Sequence, residues 1–240
     1  TARRKAYYAE LAAFLAVHPN GVTADQIANA VGIPIDRVRK DTSVLREWLG
    51  KNPRTGEPHL PESTRSRATR ERGINAYQLE DVLVDADLFK RLRTRGETRG
   101  AHGVADLRTA LRLVTGRPFD QLRAKGGTWL TADARYDHYL ACGIVDVAHL
   151  VAIDALHQHD YLTARAAAEV ATLAAPYDEI PQLDLAAIAA GEGRFHEADR
   201  ILRTEICNRT DDENAPADLT ERTASIIATL TWVNPDKAAS

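Results

Sequence analysis

Two residue types are scarce in this chain of 240 residues: it has no methionine and only two cysteines, Cys142 and Cys207. Two thiols are too few for a disulfide-stapled fold, and they cannot form a structural zinc site by themselves. So few cysteines are typical of a protein from a reducing compartment, and we expect a cytoplasmic location. The missing methionine, together with the start at Thr1, predicts a fragment or a processed chain.

Long apolar runs are missing as well. No segment approaches the roughly 18 consecutive apolar residues of a membrane span, and no charged-then-apolar leader stands at the N-terminus. Hydrophobic residues still make up 44% of the chain, which is enough to bury a core and excludes a wholly disordered protein. We therefore expect one large or two small globular domains without membrane contact.

Several sequence motifs that carry catalysis are also missing. There is no glycine-rich phosphate loop, no Gly-x-Ser-x-Gly motif and no His-Glu-x-x-His pair. The densest set of possible metal ligands consists of His157, His159, Asp160, Asp137 and His138. A spacing of two residues points His157 and His159 to different sides of a helix, and Cys142 is predicted to be a core residue. We predict that the chain is not an enzyme and holds no metal or cofactor.

The net charge of −3 hides an asymmetry between the two parts of the chain. Residues 1–80 carry 13 Lys and Arg against nine Asp and Glu, whereas residues 81–240 carry 18 against 25. Opposite signs indicate two domains with different partners, and the basic one is a candidate for binding nucleic acid. A charge balance of this size also occurs in domains that never contact DNA.

Three helical segments follow one another in the first 50 residues. The first has apolar residues at helical spacing and stops at a Pro-Asn-Gly breaker. The second starts with Thr23 and Gln26 at capping-box spacing and ends at Gly32. The third is predicted to be capped by Asp36 and to run as far as Gly50. The short turn between the second and third segments predicts a helix-turn-helix.

The segment after Gly50 is typical of a wing. Twenty-odd residues rich in Pro, Gly, Ser and Arg precede an alternating stretch, residues 74–79, that is suited to the second strand of a hairpin. The first strand is harder to place, since residues 59–61 make a poor strand. The fold expected for residues 1–80 is a winged helix-turn-helix with a small β-hairpin.

The third segment separates a core face from a face that could contact DNA. Val38, Thr42, Leu45 and Leu49 share one side, with Trp48 beside them, and are predicted to be core. The candidate DNA contacts on the remaining sides are Arg37, Arg39, Lys40, Ser43 and Arg46. Arginine can read guanine edges in the major groove, and lysine can neutralise phosphate. Acidic residues on the same helix leave an ordinary solvated face as the alternative.

The predicted wing is the stronger electrostatic feature. Four arginines, Arg65, Arg67, Arg70 and Arg72, alternate with hydroxyl side chains. Guanidinium groups and hydroxyls suit phosphate contact, and an arginine-bearing wing can enter the minor groove. A mobile polar loop has the same composition, so both readings stay open.

The second part of the chain contains an internal repeat. Residues 160–165 align with residues 194–199 at an offset of 34, and Ala152 and Ala155 then align with Ala186 and Ala189. This spacing is typical of tetratricopeptide units, whose stacked helical hairpins form a concave binding surface. Chance similarity between two alanine-rich hairpins is the alternative. Either way, residues 81–240 are predicted to be all-α, with a last helix over residues 219–230.

The combination resembles a known family. Its markers are the stretch Asn75-Ala76-Tyr77-Gln78-Leu79 before Val84-Asp85-Ala86-Asp87-Leu88-Phe89, the stretches 42–50, 110–113 and 116–119, Trp129, and residues 189–198. On these markers the chain resembles the Streptomyces antibiotic regulatory protein family, which joins a winged helix-turn-helix to a bacterial transcriptional activator domain.

The resemblance implies a bacterial transcription regulator. Its residues 1–80 would bind double-stranded DNA, and its tetratricopeptide-like residues 81–240 would contact a protein partner or form a homodimer. The alternative is a protein-interaction module of a larger assembly, in which the winged helix no longer binds DNA.

Overall fold

The computed structural model describes residues 2–123, 125–132, 135–207, 210–212, 215–216 and 218–230. The protein is mainly α-helical, as predicted. It divides into two compact units, Thr1–Val84 with Phe119–His138, and Asp85–Pro118 with Tyr139–Ser240. The first division lies close to residue 80, where the composition changes. Nothing in the sequence indicates that residues 119–138 return to the first unit.

The helices are numbered in chain order. They are α1 (Ala2–Ala16), α2 (Ala24–Val31), α3 (Ile35–Leu49), α4 (Arg67–Arg72), α5 (Asp85–Arg99), α6 (Val104–Leu111), α7 (Trp129–Ala132), α8 (Tyr136–His157), α9 (Tyr161–Ala174), α10 (Ile180–Gly191), α11 (Phe195–Ile201) and α12 (Glu221–Thr229). A 3₁₀ turn (Gly100–Gly103) precedes α6, and a π-helical turn (Leu202–Cys207) follows α11. A short antiparallel ladder pairs β1 (Thr210–Asp212) with β2 (Ala215–Pro216).

Local capping signals fix the helix-turn-helix. The Thr23 hydroxyl accepts from the backbone N–H of Gln26 at 3.3 Å, and the Gln26 side chain accepts from the N–H of Thr23 at 2.8 Å, which confirms the capping box. Gly32 ends α2 in the left-handed region at φ 66°. The prediction for α3 is wrong in one detail: Pro34 occupies the N-cap position, so Asp36 lies in the first turn, where the helix dipole favours a carboxylate.

The core face of α3 largely follows the prediction. Val38, Thr42 and Leu45 are buried to within 2% exposure. Asp41 is also buried, which the sequence does not indicate for a carboxylate. Trp48 was expected beside the core but is 53% exposed, although its ring contacts that of Tyr8 with a centroid separation of 4.8 Å.

The predicted β-hairpin is wrong: the described residues between 50 and 80 contain no strand. Tyr77 forms only an isolated bridge with Val22, through N–H···O bonds of 2.7 and 2.9 Å. The arginine-rich segment instead forms α4, because Ser66 caps its first turn and Gly73 ends it at φ 70°. Prolines in the preceding loop cannot donate to a ladder, which disfavours the first strand.

Residues Phe119–His138, here called the strap, pack on the core of the first unit. The Trp129 ring makes edge contacts with Phe14 at 5.3 Å and with Phe119 at 5.9 Å. Leu130 is buried in the same cluster. Aromatic packing of this kind buries a large apolar area, so the strap contributes to the stability of the helix-turn-helix unit.

Two hairpins of the second unit repeat at an offset of 34. Helix α8 ends at His157 and α10 at Gly191, while α9 begins at Tyr161 and α11 at Phe195. The aligned small residues are all fully buried: Ala152, Ala155 and Ala164, with their counterparts Ala186, Ala189 and Ala198. Alanine at these positions lets neighbouring helix backbones approach closely.

The turns of the two hairpins also correspond. His159 and Gly193 occupy equivalent positions with positive φ, 56° and 79°. In both turns the next residue, Asp160 or Arg194, donates its N–H to a carbonyl five residues earlier at 2.8 Å. The repeat therefore extends from the sequence to the backbone conformation.

Two details of the second unit differ from the expectations. The sequence predicts no strand beyond residue 85, yet the ladder of β1 and β2 forms there, because so short a ladder needs no hydrophobic alternation. Helix α8 is long and apolar enough to cross a membrane, although the sequence shows no uninterrupted apolar run. Half of its most apolar window is buried inside the protein, and a core helix meets the same criterion.

Candidate nucleic-acid interface

Helix α3 presents two exposed cations on consecutive residues. Arg39 and Lys40 are exposed, and neither makes an ion pair with any residue that the structure describes. Ser43 lies one turn further on and is half-buried, while Asp36 and Glu47 are exposed on the same helix. The free positive charge of α3 is thus concentrated in two consecutive residues.

The other two basic candidates on α3 are engaged with the protein. The Arg37 guanidinium lies 3.3 Å from the carboxylate of Asp41. Arg46 donates from Nε to the carbonyl of Leu60 at 2.6 Å and from Nη2 to the carbonyl of Pro61 at 3.4 Å. Arg46 is half-buried, so it holds the loop that follows α3 rather than extending into solvent.

Asp41 joins α3 to α1. Its carboxylate accepts the Tyr7 hydroxyl at 2.6 Å and the Tyr8 hydroxyl at 3.5 Å. Burial of the Tyr7 ring and this hydrogen bond raise the pKa of Tyr7 well above its ordinary value, so the hydroxyl stays a donor. The sequence offers no signal for this contact, since Asp41 reads as one of several acidic residues on the helix.

The four arginines of the predicted wing, Arg65, Arg67, Arg70 and Arg72, are exposed and are here called the basic arm. Two of them approach carboxylates at long range: Arg65 lies 4.0 Å from Glu62 and Arg67 lies 4.0 Å from Asp81. Their side chains are 80% and 53% exposed, and pairs of this kind contribute little.

The other two arginines of the arm bind backbone carbonyls. Arg70 donates to the carbonyl of Arg65, and Arg72 donates to the carbonyls of Asn20 and Gly21 in the turn before α2. A neutral carbonyl orients a guanidinium group without cancelling its charge. The arm therefore keeps most of its positive charge while its geometry is restrained.

The backbone of the arm is anchored by a buried glutamine. The Gln78 side chain accepts from the N–H of Ala68 at 2.8 Å and donates to the carbonyl of Pro19 at 2.7 Å. Ser66 adds a hydroxyl bond to the carbonyl of Ala76 at 2.7 Å. Helix α4 is thus tied both to the turn that precedes α2 and to the segment after the arm.

The strap reaches the helix-turn-helix through a buried ion pair. Glu10 of α1 is fully buried and accepts from Arg123 and from the N–H of Gly127, the latter at 2.7 Å. Arg123 also donates to the carbonyl of Val31, the last residue of α2. Gly126 permits this close approach, because a Cβ there would lie 2.5 Å from Glu10 Oε2. This network fixes the end of α2 immediately before the turn into α3.

The His and Cys side chains considered for catalysis or metal binding lie in the second unit or in the strap, away from α3 and the basic arm in sequence. His159 lies in the α8–α9 turn, with Nδ1 3.1 Å from the Tyr161 hydroxyl. Cys142 is half-buried in α8, and burial raises the pKa of its thiol. No group of three or more His, Cys, Asp or Glu side chains is arranged to hold a metal ion in the part of the chain that the structure describes.

Comparison with known proteins finds no family model that matches the chain and no curated protein that matches it.

Proposed function

We propose that the protein is a DNA-binding transcription regulator, in which the first unit contacts duplex DNA and the helical second unit contacts a protein partner or a second copy. The observation that carries the proposal is the pair Arg39 and Lys40 on the second helix of a helix-turn-helix, both exposed and neither in an ion pair with a described residue. In proteins with this motif the second helix enters the major groove.

The shape of α3 suits that role. Its apolar side, represented by Val38 and Leu45, is buried against the unit, whereas the other side is exposed at Asp36, Arg39, Lys40 and Glu47. Arg39 can donate two hydrogen bonds to a guanine edge, and Lys40 can neutralise a phosphate. Capping at Thr23 and Gly32 and the bond from Arg123 to Val31 hold α2 in place beneath it.

The basic arm supplies a second set of contacts. Its arginines carry positive charge that distant carboxylates and neutral carbonyls leave largely uncompensated. Phosphate contacts position a protein on the duplex without reading sequence. In this proposal α4 takes the place of a β-wing and its arginines contact the phosphates of the DNA backbone, while α3 contacts the base edges.

The second unit is proposed to be a tetratricopeptide-like domain. The 34-residue offset in helix ends and turn conformation, together with the buried alanines, supports a stack of helical hairpins. Such stacks present extended surfaces to peptides or helices of other proteins. The resemblance to the Streptomyces antibiotic regulatory protein family points the same way and implies a cytoplasmic bacterial regulator without enzymatic activity.

One alternative has observations in its favour. The missing β-hairpin and the engagement of Arg46 with backbone carbonyls fit a helix-turn-helix retained as a scaffold. The protein would then be an adaptor within a larger assembly, and the first unit would not bind DNA.

A gel-shift experiment with random and genomic DNA fragments separates the two functions. We expect the full chain to bind duplex DNA at low salt, and the double variant Arg39→Ala/Lys40→Ala to bind at least about tenfold more weakly, because two charge-assisted contacts are lost. The matched control is Lys51→Ala/Arg54→Ala, which removes the same charge from exposed positions of the same unit and should leave binding nearly unchanged. No binding by the native chain at any salt concentration would favour the adaptor.

A further inference from the structure

The last helix of the second unit, α12, rests on α8 and α10 through a few polar contacts. Arg222 lies 2.8 Å from Asp146 of α8, and the Thr223 hydroxyl donates to Glu179, the residue before α10. Thr223 is the one buried residue of α12, and the rest of the helix is exposed or half-buried. A helix with so little buried apolar surface is weakly held.

The surface beneath α12 is acidic. It is formed by Asp146, Asp178, Glu179 and Asp184, here called the acidic face. Asp178 lies near enough to Asp184 to act on its charge. On the same surface Arg93 of α5 lies 3.1 Å from the second oxygen of Asp146, and His149 of α8 faces Asp184. Arg222 therefore adds a positive charge to a surface on which Asp146 also faces Arg93 and Asp184 also faces His149.

Asp184 has an unmet hydrogen-bonding capacity. Its Oδ1 lies 2.7 Å from Nδ1 of His149, whereas its buried Oδ2 has no hydrogen-bond partner in the part of the chain that the structure describes. Burial raises the pKa of this carboxyl group, and the charges of His149 and Arg222 act in the opposite direction. Buried acceptors are normally satisfied, so an unsatisfied one beside a charged surface indicates a missing donor.

We propose that α12 is an internal occupant of a helix-docking site on α8 and α10, and that a partner helix carrying a basic residue followed by a hydroxyl residue displaces it. The contacts of Arg222 and Thr223 define the chemistry that the partner must supply, and the acidic face selects a basic helix by charge complementarity. Because α12 is tethered, it competes at an effective concentration in the millimolar range. The partner must therefore bind the open face much more tightly than a millimolar dissociation constant.

The docking site goes beyond the proposed function, since it requires no contact between the first unit and DNA. Failure of DNA binding would leave it intact, and its own failure would leave DNA binding intact. If the first unit binds DNA and a partner helix displaces α12, the second unit recruits that partner through a site that α12 occupies until the basic helix binds.

The test uses a fluorescein-labelled peptide of residues 218–230 and the full chain, followed by fluorescence anisotropy. The native chain should bind the peptide weakly, because its own α12 occupies the site. The Arg222→Glu chain should bind it at least about tenfold more tightly, because like charges at Asp146 release α12. The Arg203→Glu chain is the matched control, since the one ion pair of Arg203 among the described residues is with Asp199, four residues earlier, and it should behave like the native chain.

A second peptide and a second measurement complete the test. A peptide carrying Arg222→Glu should bind no form of the chain, and hydrogen exchange at residues 221–229 should be faster in the Arg222→Glu chain than in the native one. The proposal is overturned if the native peptide binds the native and Arg222→Glu chains equally, if it binds neither, or if exchange at α12 is unchanged.

Discussion

Replacing Arg123 with methionine is expected to lower the free energy of unfolding of the first unit by about 3 to 5 kcal/mol. The reason is Glu10, a fully buried carboxylate whose charge is balanced by the Arg123 guanidinium. Without it the carboxylate keeps, among the described residues, the N–H of Gly127 as its one donor, and the carbonyl of Val31 loses the Arg123 donor. Urea unfolding followed by tryptophan fluorescence measures the loss.

Two further variants show whether the loss comes from the uncompensated charge. Arg54→Met changes an exposed arginine of the same unit and should alter stability by no more than about 0.5 kcal/mol. The double variant Glu10→Gln/Arg123→Met should recover part of the stability, because no buried charge remains. If the Arg123→Met chain has the same midpoint of urea unfolding as the native chain, the ion pair does not stabilise the packing of the strap.

Replacing all four arginines of the basic arm with alanine is expected to weaken duplex binding by at least about 100-fold at 0.1 M salt. Each phosphate contact contributes about 0.9 to the slope of log K against log salt, so four contacts contribute about 3 to 4. The measurement is fluorescence anisotropy with a labelled random-sequence duplex. Circular dichroism of the variant checks the fold, since Arg70 and Arg72 also bind backbone carbonyls.

The control for the arm removes the same charge elsewhere. Four exposed arginines of the second unit, Arg91, Arg112, Arg117 and Arg200, are changed to alanine together. Net charge then falls equally, but the proposed DNA surface is untouched, and we expect binding within about threefold of native. An equal loss of duplex affinity in both variants would mean that binding depends on the net charge of the chain and not on contacts of the basic arm.

The elements that the sequence predicted well are those with local signals. The capping box at Thr23 and the left-handed Gly32 involve residues within one or two turns of one another, the 34-residue offset is a repeat along the chain itself, and the structure has all three as expected. Local capping also explains why the predicted β-hairpin is wrong. Ser66 favours the start of a helix and Gly73 favours its end, so the segment between them folds as α4 and not as a strand.

The contacts that the sequence did not reveal join residues far apart in the chain. Glu10 and Arg123 are separated by 113 residues, and nothing in the composition of the strap marks it as a partner of α1. Likewise, Arg46 looks like a surface arginine until the loop carbonyl of Leu60 is placed beside it. Such pairs depend on tertiary packing, which periodicity and capping signals do not encode.

The structure separates the candidate basic residues by the partners of their side chains, which the sequence does not show. The sequence ranked the predicted wing above α3, but it could not separate the candidate contacts within either segment, since all have suitable side chains. Arg39 and Lys40 form no ion pair within the part of the chain that the structure describes. Arg70 and Arg72 are oriented by backbone carbonyls, and Arg46 is bound to the loop after α3. The proposed interface therefore consists of α3 around residues 39–40 and the basic arm.

The salt dependence of duplex binding by the native chain shows whether α3 and the basic arm contact phosphates. The full chain is titrated onto a labelled random-sequence duplex at several salt concentrations between about 50 and 300 mM. If α3 and the basic arm together contact four to six phosphates, log K falls linearly with log salt with a slope between about −3.5 and −5.5. A slope near zero, or no binding at the lowest salt concentration, would contradict the claim that the first unit binds DNA.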